Sequence, residues 1–460
     1  MLVSILIHKE TNVGLLERFC LSYPLGMGVL TVQMFLLALM RVPLTLWSVA
    51  VPILAEISGL YLWTRKRKIP LTRKISFDLF GEILSPDNHW MKRSVLVILA
   101  TLVVVKLGSI FAETYLRPIF AWDSFANWSA GAKAFYYSHG LLLDAAPEDF
   151  FGKGLLNRNA NYPPHNPLMQ VWISLWLGQF DEVLVKFWSP VYLLCMSVYL
   201  YLFMARETSR LISLGVLALF LSSPLLSVHS IEAYSDMPLS VYMLLALIMF
   251  VHVMRGRNGF WPLMGLYSAE ALFTKDEAPF FVLPLLASAS VFIWQNRERA
   301  IASKKEILTL FMCLVVAAPW FIFKFSHGLG FGADYVTREL TFRPEMIWKV
   351  VSLLFSSQNF NVFIMFLPLL IVAGWPPSKE FLFLLIPVAC YAMFFVLVYS
   401  LTVFFSGRLM FNTAIFRNTL TYYPCICLLT VMQMKHIMQD PLLPGGHVNE
   451  DHHTLPKTPG

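Results

Sequence analysis

Charge is what this chain has least of. Of its 460 residues, 14% are Asp, Glu, Lys or Arg, against about 25% in an ordinary soluble domain. So little charge cannot coat a globular surface. Disorder, collagen, coiled coil and a disulfide scaffold are excluded with it. Cysteine is also scarce. Cys20, Cys195, Cys313, Cys390, Cys425 and Cys427 lie in or beside apolar segments and form no CxxC pair, so neither a disulfide framework nor a zinc site is expected. The start of the chain, Met1 to Ile7 and then His8, Lys9 and Glu10, lacks a basic stretch leading to a small-residue cleavage site. No cleaved leader is expected. The net charge of +7 does not indicate nucleic acid, because the cations fall in short clusters between apolar runs.

What is abundant is apolar: 57% of residues are hydrophobic and mean hydropathy is +0.63. The fold class expected is an all-α polytopic membrane protein. A spanning helix needs about 20 mostly apolar residues. The stretches 21–40, 42–63, 94–113, 183–204, 211–229, 237–254, 258–274, 279–295, 306–325, 347–374, 380–402 and 418–436 meet that measure, about twelve spans. The basic loop 64–93 and the clusters Arg206/Arg210, Arg255/Arg257, Arg297/Arg299/Lys304/Lys305 and Lys379 then share the cytoplasmic side. This requires the stretch 167–179, which follows Pro163, Pro164 and Pro167, to be a juxtamembrane or re-entrant helix. Both termini become cytoplasmic, with a Pro-, Gly- and His-rich disordered tail over 437–460.

With that topology, unusual polar residues gather on the outer face. The loop 114–182 carries Trp122, Asp123, Trp128 and Lys133, and then Tyr162-Pro163-Pro164-His165. The next outer turns are Glu232-Ala233-Tyr234-Ser235-Asp236-Met237-Pro238 and Lys275-Asp276-Glu277. A last one holds Arg408 and Arg417. Ionisable groups this close to hydrocarbon usually mark a function.

In order, spacing and sidedness these segments resemble the GT-C superfamily of integral-membrane glycosyltransferases. The branch most similar is the protein O-mannosyltransferase and aminoarabinose-transferase group. The resemblance covers about residues 94–325, and the last spans match more loosely. The family's third motif usually reads Lys-Asn-Glu-Gly; here Asp276 and Ala278 replace the Asn and Gly. The implied division is an N-terminal hairpin with a basic loop (1–93), a catalytic membrane core (94–325) and C-terminal helices completing the donor site (326–436). The tail follows from 437.

The resemblance implies transfer of a sugar from a polyprenyl-phosphate carrier to a hydroxyl acceptor, in a bacterial inner membrane with the active site facing outward. A hydroxyl is a poor nucleophile near neutral pH, so a carboxylate base must take its proton. The carrier phosphate already leaves well, so a single displacement inverts the anomeric centre. A hydrolase would need two paired carboxylates. Asp123 is the candidate base; the structural alternative is a cap on the helix that follows. Asp236, with Glu232 one turn earlier, is the candidate to orient the acceptor or, with Asp123, to hold a divalent metal (Mg or Mn). It also suits the start of the span at Met237-Pro238. No organic cofactor is expected.

Lys275 and Arg417 are candidates for the carrier phosphate, against an interfacial lysine paired with Glu277 and a snorkelling arginine. Trp122, Trp128, Lys133, Tyr162, His165 and Glu277 are candidate sugar or lipid contacts. Lys106 and Glu113 read as packing or snorkelling groups. The competing class, a secondary transporter, places its polar sites near the midplane on broken helices and shows internal repeats; no repeat relates the two halves here, and the polar motifs lie at outer helix ends.

Overall fold

In lipid every backbone polar group must be satisfied within the chain, so runs of apolar residues fold as helices. The computed structural model describes residues 1–8, 10, 13–70, 90–142, 157, 160–296, 308, 310–311, 314–330, 342–354, 357–360, 363–401 and 408–439, and among them every regular element is helical. Residues 71–89 of the basic loop and the tail from 440 onward lie outside the described residues.

Among the described residues six helices are long and apolar enough to cross a membrane: Leu15–Leu39, Leu46–Lys66, Trp90–Leu116, Leu184–Glu207, Asp236–Met254 and Lys379–Leu401. The expected span 211–229 is Arg210–Leu221 followed by Pro224–Ser230, bent by 73° and counting as a seventh if taken together. Its break has a local cause. Ser223 caps the second piece by accepting from the Leu226 amide, and Pro224 suits only a first turn. The other expected spans are shorter or in pieces. Stretch 258–274 becomes Trp261–Leu272 after a 3-10 turn, 279–295 is Pro279–Gln295, and 306–325 is described as Val315–Ser326. Stretch 347–374 is described as Pro344–Leu354, Ser357–Phe360 and Phe363–Ala373, with 355–356 and 361–362 outside the described residues. The last expected span lies inside the long helix Arg408–Gln439. Among the described residues six of the twelve expected spans are single helices long and apolar enough to cross a membrane, or seven with the bent pair.

The stretch 167–179 is a helix of 13 residues, His165–Leu177, ended by Gly178 at φ +70°. At 1.5 Å per residue it reaches about 20 Å, short of a hydrocarbon core of about 30 Å.

The core surrounds Asp236–Met254, whose apolar window is 94% buried. Against it pack Trp261–Leu272, Arg408–Gln439, Trp188–Glu207, Leu15–Leu39, Pro279–Gln295 and Lys379–Leu401. Leu15–Leu39 precedes the segment covered by the resemblance, yet it is built into this core. Tyr267 and Tyr242 donate to the carbonyls of Leu21 (2.8 Å) and Pro24 (2.9 Å). At its far end Arg206 binds Glu17 by two hydrogen bonds. Nearby, Arg255 joins Glu207 and Glu380, and Lys435 joins Glu207 at 2.8 Å. Arg206, Arg255 and Lys435 thus converge at one end of the central helix. Asp236 stands at the other.

Candidate active site

The chain first delivers a carboxylate through an irregular helix. Just beyond Trp90–Leu116, the segment Ser124–Ser129 winds as a π-helix, a wide turn that often occurs at functional sites. Asp123 immediately precedes it and makes no side-chain cap to it, so the capping alternative is not what the carboxylate does. Its Oδ1 accepts from Asn127 Nδ2 at 3.1 Å, and its Oδ2 accepts from Arg417 Nη1.

Buried polar contacts hold this loop. Glu232 accepts from the Phe120 amide at 3.3 Å and lies 3.6 Å from Lys186, which also donates to the Pro118 carbonyl. Ser124 Oγ accepts from the Ala233 amide. Burial pushes the Glu232 carboxyl above its ordinary range, against the pull of Lys186. Glu232, expected to orient the acceptor or a metal, instead fastens the loop that carries Asp123. Behind the loop, Asn166 donates to Ala233 O (2.8 Å) and Ser235 Oγ (3.1 Å), Gln170 donates to Asn166, and Ser129 donates to Gln170. The short helix, the π-helix and the 231–235 turn are thereby locked together.

The second carboxylate, Asp236, is wholly buried. Lys275 donates to its Oδ1 at 3.0 Å and Arg417 Nη2 to its Oδ2 at 3.1 Å, while His229 Nδ1 is 3.6 Å from the same oxygen. Arg417 therefore bridges Asp123 and Asp236, so it is not snorkelling, and Asp236 is not serving as a cap. Its guanidinium lies 4.8 Å over the Tyr234 ring, whose other partner is a stacked His229 ring at 4.2 Å. Lys275 is also 3.3 Å from Glu277. Burial alone would lower the Lys275 ammonium; Asp236 and then Glu277 more than offset it, so its pKa is raised.

Four residues chosen from sequence, Asp123, Asp236, Lys275 and Arg417, thus meet in one cluster, with Glu277 at its edge. The substitution in the third motif also has a local consequence. Asp276 is ion-paired with Lys324 at 2.6 Å, and Lys324 donates to the Asn161 carbonyl at 2.7 Å. This ties the Lys275 turn to the residue before Tyr162.

Other candidates stand elsewhere. His165 is wholly buried, with Nδ1 2.6 Å from Thr31 Oγ1 and Nε2 3.3 Å from the Tyr242 hydroxyl. Burial pushes it down to about 3. Both ring nitrogens are committed, so it is an internal strut rather than a sugar contact. Lys133 faces Glu182 at 3.8 Å and the Phe180 ring, neither of them part of the cluster. Trp128 is buried and packs edge-on to Tyr162 at 5.5 Å, which makes the pair a wall of the loop. Trp122, beside Asp123, is 71% exposed and is the aromatic free to meet a ligand. His229, Tyr234, Asn166, Gln170, Lys186 and Lys324 were given no role from sequence. Only their place beside the motifs pointed to them.

Asp123 and Asp236 were the candidate metal ligands. They face the same guanidinium, whose charge takes the position a divalent cation would need. Among the described residues no group of three His, Cys, Asp or Glu is arranged to hold a metal ion. This donor set does not fit a resident divalent ion, and no step below is routed through one.

Residues 162–323 match the family model for dolichyl-phosphate-mannose-protein mannosyltransferase. No curated protein matches the chain. Two solved structures of ArnT from Cupriavidus metallidurans, one bound to undecaprenyl phosphate and one in the apo state, align with a TM-score of 0.50 and 15% identity. Each alignment covers 74% of this chain and 59% of the ArnT chain, so this chain spans about three fifths of the length of that relative. The fold is thus that seen in ArnT, and residues 162–323 carry the pattern of the mannosyltransferase family model.

Proposed function

We propose that the chain is an inverting glycosyltransferase of a bacterial inner membrane. It moves a sugar from a polyprenyl-phosphate carrier to a hydroxyl acceptor on the outer side. The observation that carries this reading is the bridge of Arg417 between Asp123 and Asp236, beside Lys275. The undecaprenyl phosphate bound by the ArnT relative supports the choice of carrier.

Three carboxylates, Asp123, Asp236 and Glu277, face two cations in this cluster. A donor phosphate is therefore held only by displacing a carboxylate from a cation. Asp236 is wholly buried, whereas the Asp123 side chain is 28% exposed; Asp123 is the one that yields. Donor binding then recruits the planar fork of Arg417 to the phosphate and frees the Asp123 oxygens. The acceptor oxygen attacks the anomeric carbon from the face opposite the phosphate while its proton passes to Asp123. The bond from the anomeric carbon to the phosphate oxygen breaks, and its electron pair leaves with that oxygen. Arg417 and Lys275 stabilise the charge that grows there, so they favour the transition state over bound donor. Asp236 keeps both cations in place.

Glycan analysis of lipid and envelope extracts tests the assignment. A strain lacking the chain should lose one sugar substituent, restored by the wild-type chain and not by Asp123→Asn at equal membrane abundance. Unchanged glycans, or full restoration by Asp123→Asn, would overturn it.

A further inference from the structure

Beside the loop that carries Asp123 is a small cavity that the mechanism above does not use. Among the described residues its walls include Phe35 of Leu15–Leu39, Asn127 and Trp128 of the π-helix, Tyr162, and Trp320 and Phe323 of Val315–Ser326. Its volume is about 20 Å³. A buried water needs about 10–15 Å³, so there is room for one hydroxyl or hydroxymethyl group and not for a whole sugar ring.

Two polar groups of that wall are unsatisfied. Trp128 and Trp320 are 3% and 2% exposed, and neither indole N–H has a hydrogen-bond partner. The rings themselves are well packed. Trp128 lies edge-on to Tyr162, and Trp320 lies 5.9 Å from the Phe35 ring with Lys324 Nζ 5.6 Å from its own centroid. A buried donor with no acceptor is costly, and two of them on one cavity point to an oxygen that enters it. No charged side chain lines the cavity among the described residues, so it does not suit a phosphate or a carboxylate. Aromatic walls with a few unmade N–H bonds suit a neutral hydroxyl.

The cavity is joined to both halves of the site. Asn127 lines it and donates to Asp123 Oδ1 at 3.1 Å, whereas Asp123 itself is not part of its wall. A group seated there is therefore a neighbour of the attacking hydroxyl and not that hydroxyl. One turn after Trp320, Lys324 pairs with Asp276, which adjoins Lys275.

We propose that this cavity is an acceptor subsite. It seats one hydroxyl or hydroxymethyl group of a neutral sugar, whose oxygen takes the unmade indole hydrogen bonds while an adjacent hydroxyl is presented to Asp123. This rests on the transferase reading above and narrows its acceptor to a neutral glycan. Through Phe35, it also gives Leu15–Leu39 a share in acceptor choice.

The test follows polyprenyl phosphate release by full-length chain in lipid nanodiscs, with the neutral-glycan fraction of an envelope extract as acceptor. Trp128→Phe and Trp320→Phe keep an aromatic ring and lose the N–H. Each should raise the half-saturating acceptor concentration about fivefold, the weight of one hydrogen bond, and leave that of the donor within about twofold. An unchanged acceptor value would make the cavity a structural water site and overturn the proposal. An equal rise for the donor, or transfer to the anionic fraction alone, would also overturn it. Hydrogen–deuterium exchange of the wild-type chain decides if the variants do not fold or no turnover is seen. The neutral fraction should slow exchange over residues 315–326, and polyprenyl phosphate alone should not. That protection without turnover would sink the transferase reading and keep the subsite; no protection by the neutral fraction would sink the subsite.

Discussion

At the scale of single residues, the account places proton removal on Asp123 and phosphate recognition on Arg417. Asp123→Asn keeps size and the contact with Asn127 but removes the basic oxygen. Transfer should fall by about 10²–10⁴-fold, the usual cost of losing a general base, with membrane abundance unchanged on an immunoblot. Half-normal transfer would return Asp123 to a structural role. Arg417→Lys keeps the charge and loses the fork, whereas Arg417→Ala loses both. Initial rates at varied donor should therefore show an intermediate loss for Lys and a severe one for Ala. Asp236 keeps Lys275 in either variant, so abundance should hold. A normal rate for Arg417→Ala with a less stable protein would leave Lys275 as the sole phosphate ligand. The four cluster residues were legible because ionisable groups at the ends of apolar runs stand out. Their pairing was not, since Arg417 and Asp123 are 294 positions apart. Nor was the strut role of His165 legible, because a histidine after two prolines looks like a loop residue until Thr31 and Tyr242 are seen against it.

At the scale of helices, the contact that locks Leu15–Leu39 into the core is unusually tight at one point. A Cβ on Gly28 would lie 2.2 Å from the Glu270 carboxyl carbon. Glu270 is wholly buried, and neither of its oxygens has a hydrogen-bond partner. A charged carboxylate in that place would carry a large desolvation cost. Gly28→Ala should therefore destabilise the protein by about 1–3 kcal/mol, the usual cost of overpacking, lowering the thermal midpoint in detergent. Adding Glu270→Ala should recover most of that loss by clearing the space. Glu270→Gln, neutral and of similar shape, should match wild type; a large loss would mean that Glu270 is charged and paired. Apolar content made the helices legible, but their lengths were not. The break before Pro224 lies inside a run whose hydropathy stays high, and hydropathy does not register a turn.

At the scale of the whole molecule, the basic clusters near Glu207 and the Asp–Arg–Asp cluster occupy opposite ends of the central helix. Single cysteines at Ser209 and Trp122 should consequently be labelled by an impermeant reagent from opposite sides, with Ser209 cytoplasmic. Ser235 is wholly buried, which makes the exposed Trp122 the better outer reporter. Labelling of both from one side would separate the cluster from the proposed outer face. The transfer reaction itself is tested most directly by donor turnover. Purified full-length chain in lipid nanodiscs is given a polyprenyl-phosphate-linked sugar and acceptor-containing membrane extract, and release of free polyprenyl phosphate is measured. The account predicts acceptor-dependent release by wild type and a loss of at least a hundredfold for Asp123→Asn, in line with removal of a general base. Release by the variant at the wild-type rate would contradict it.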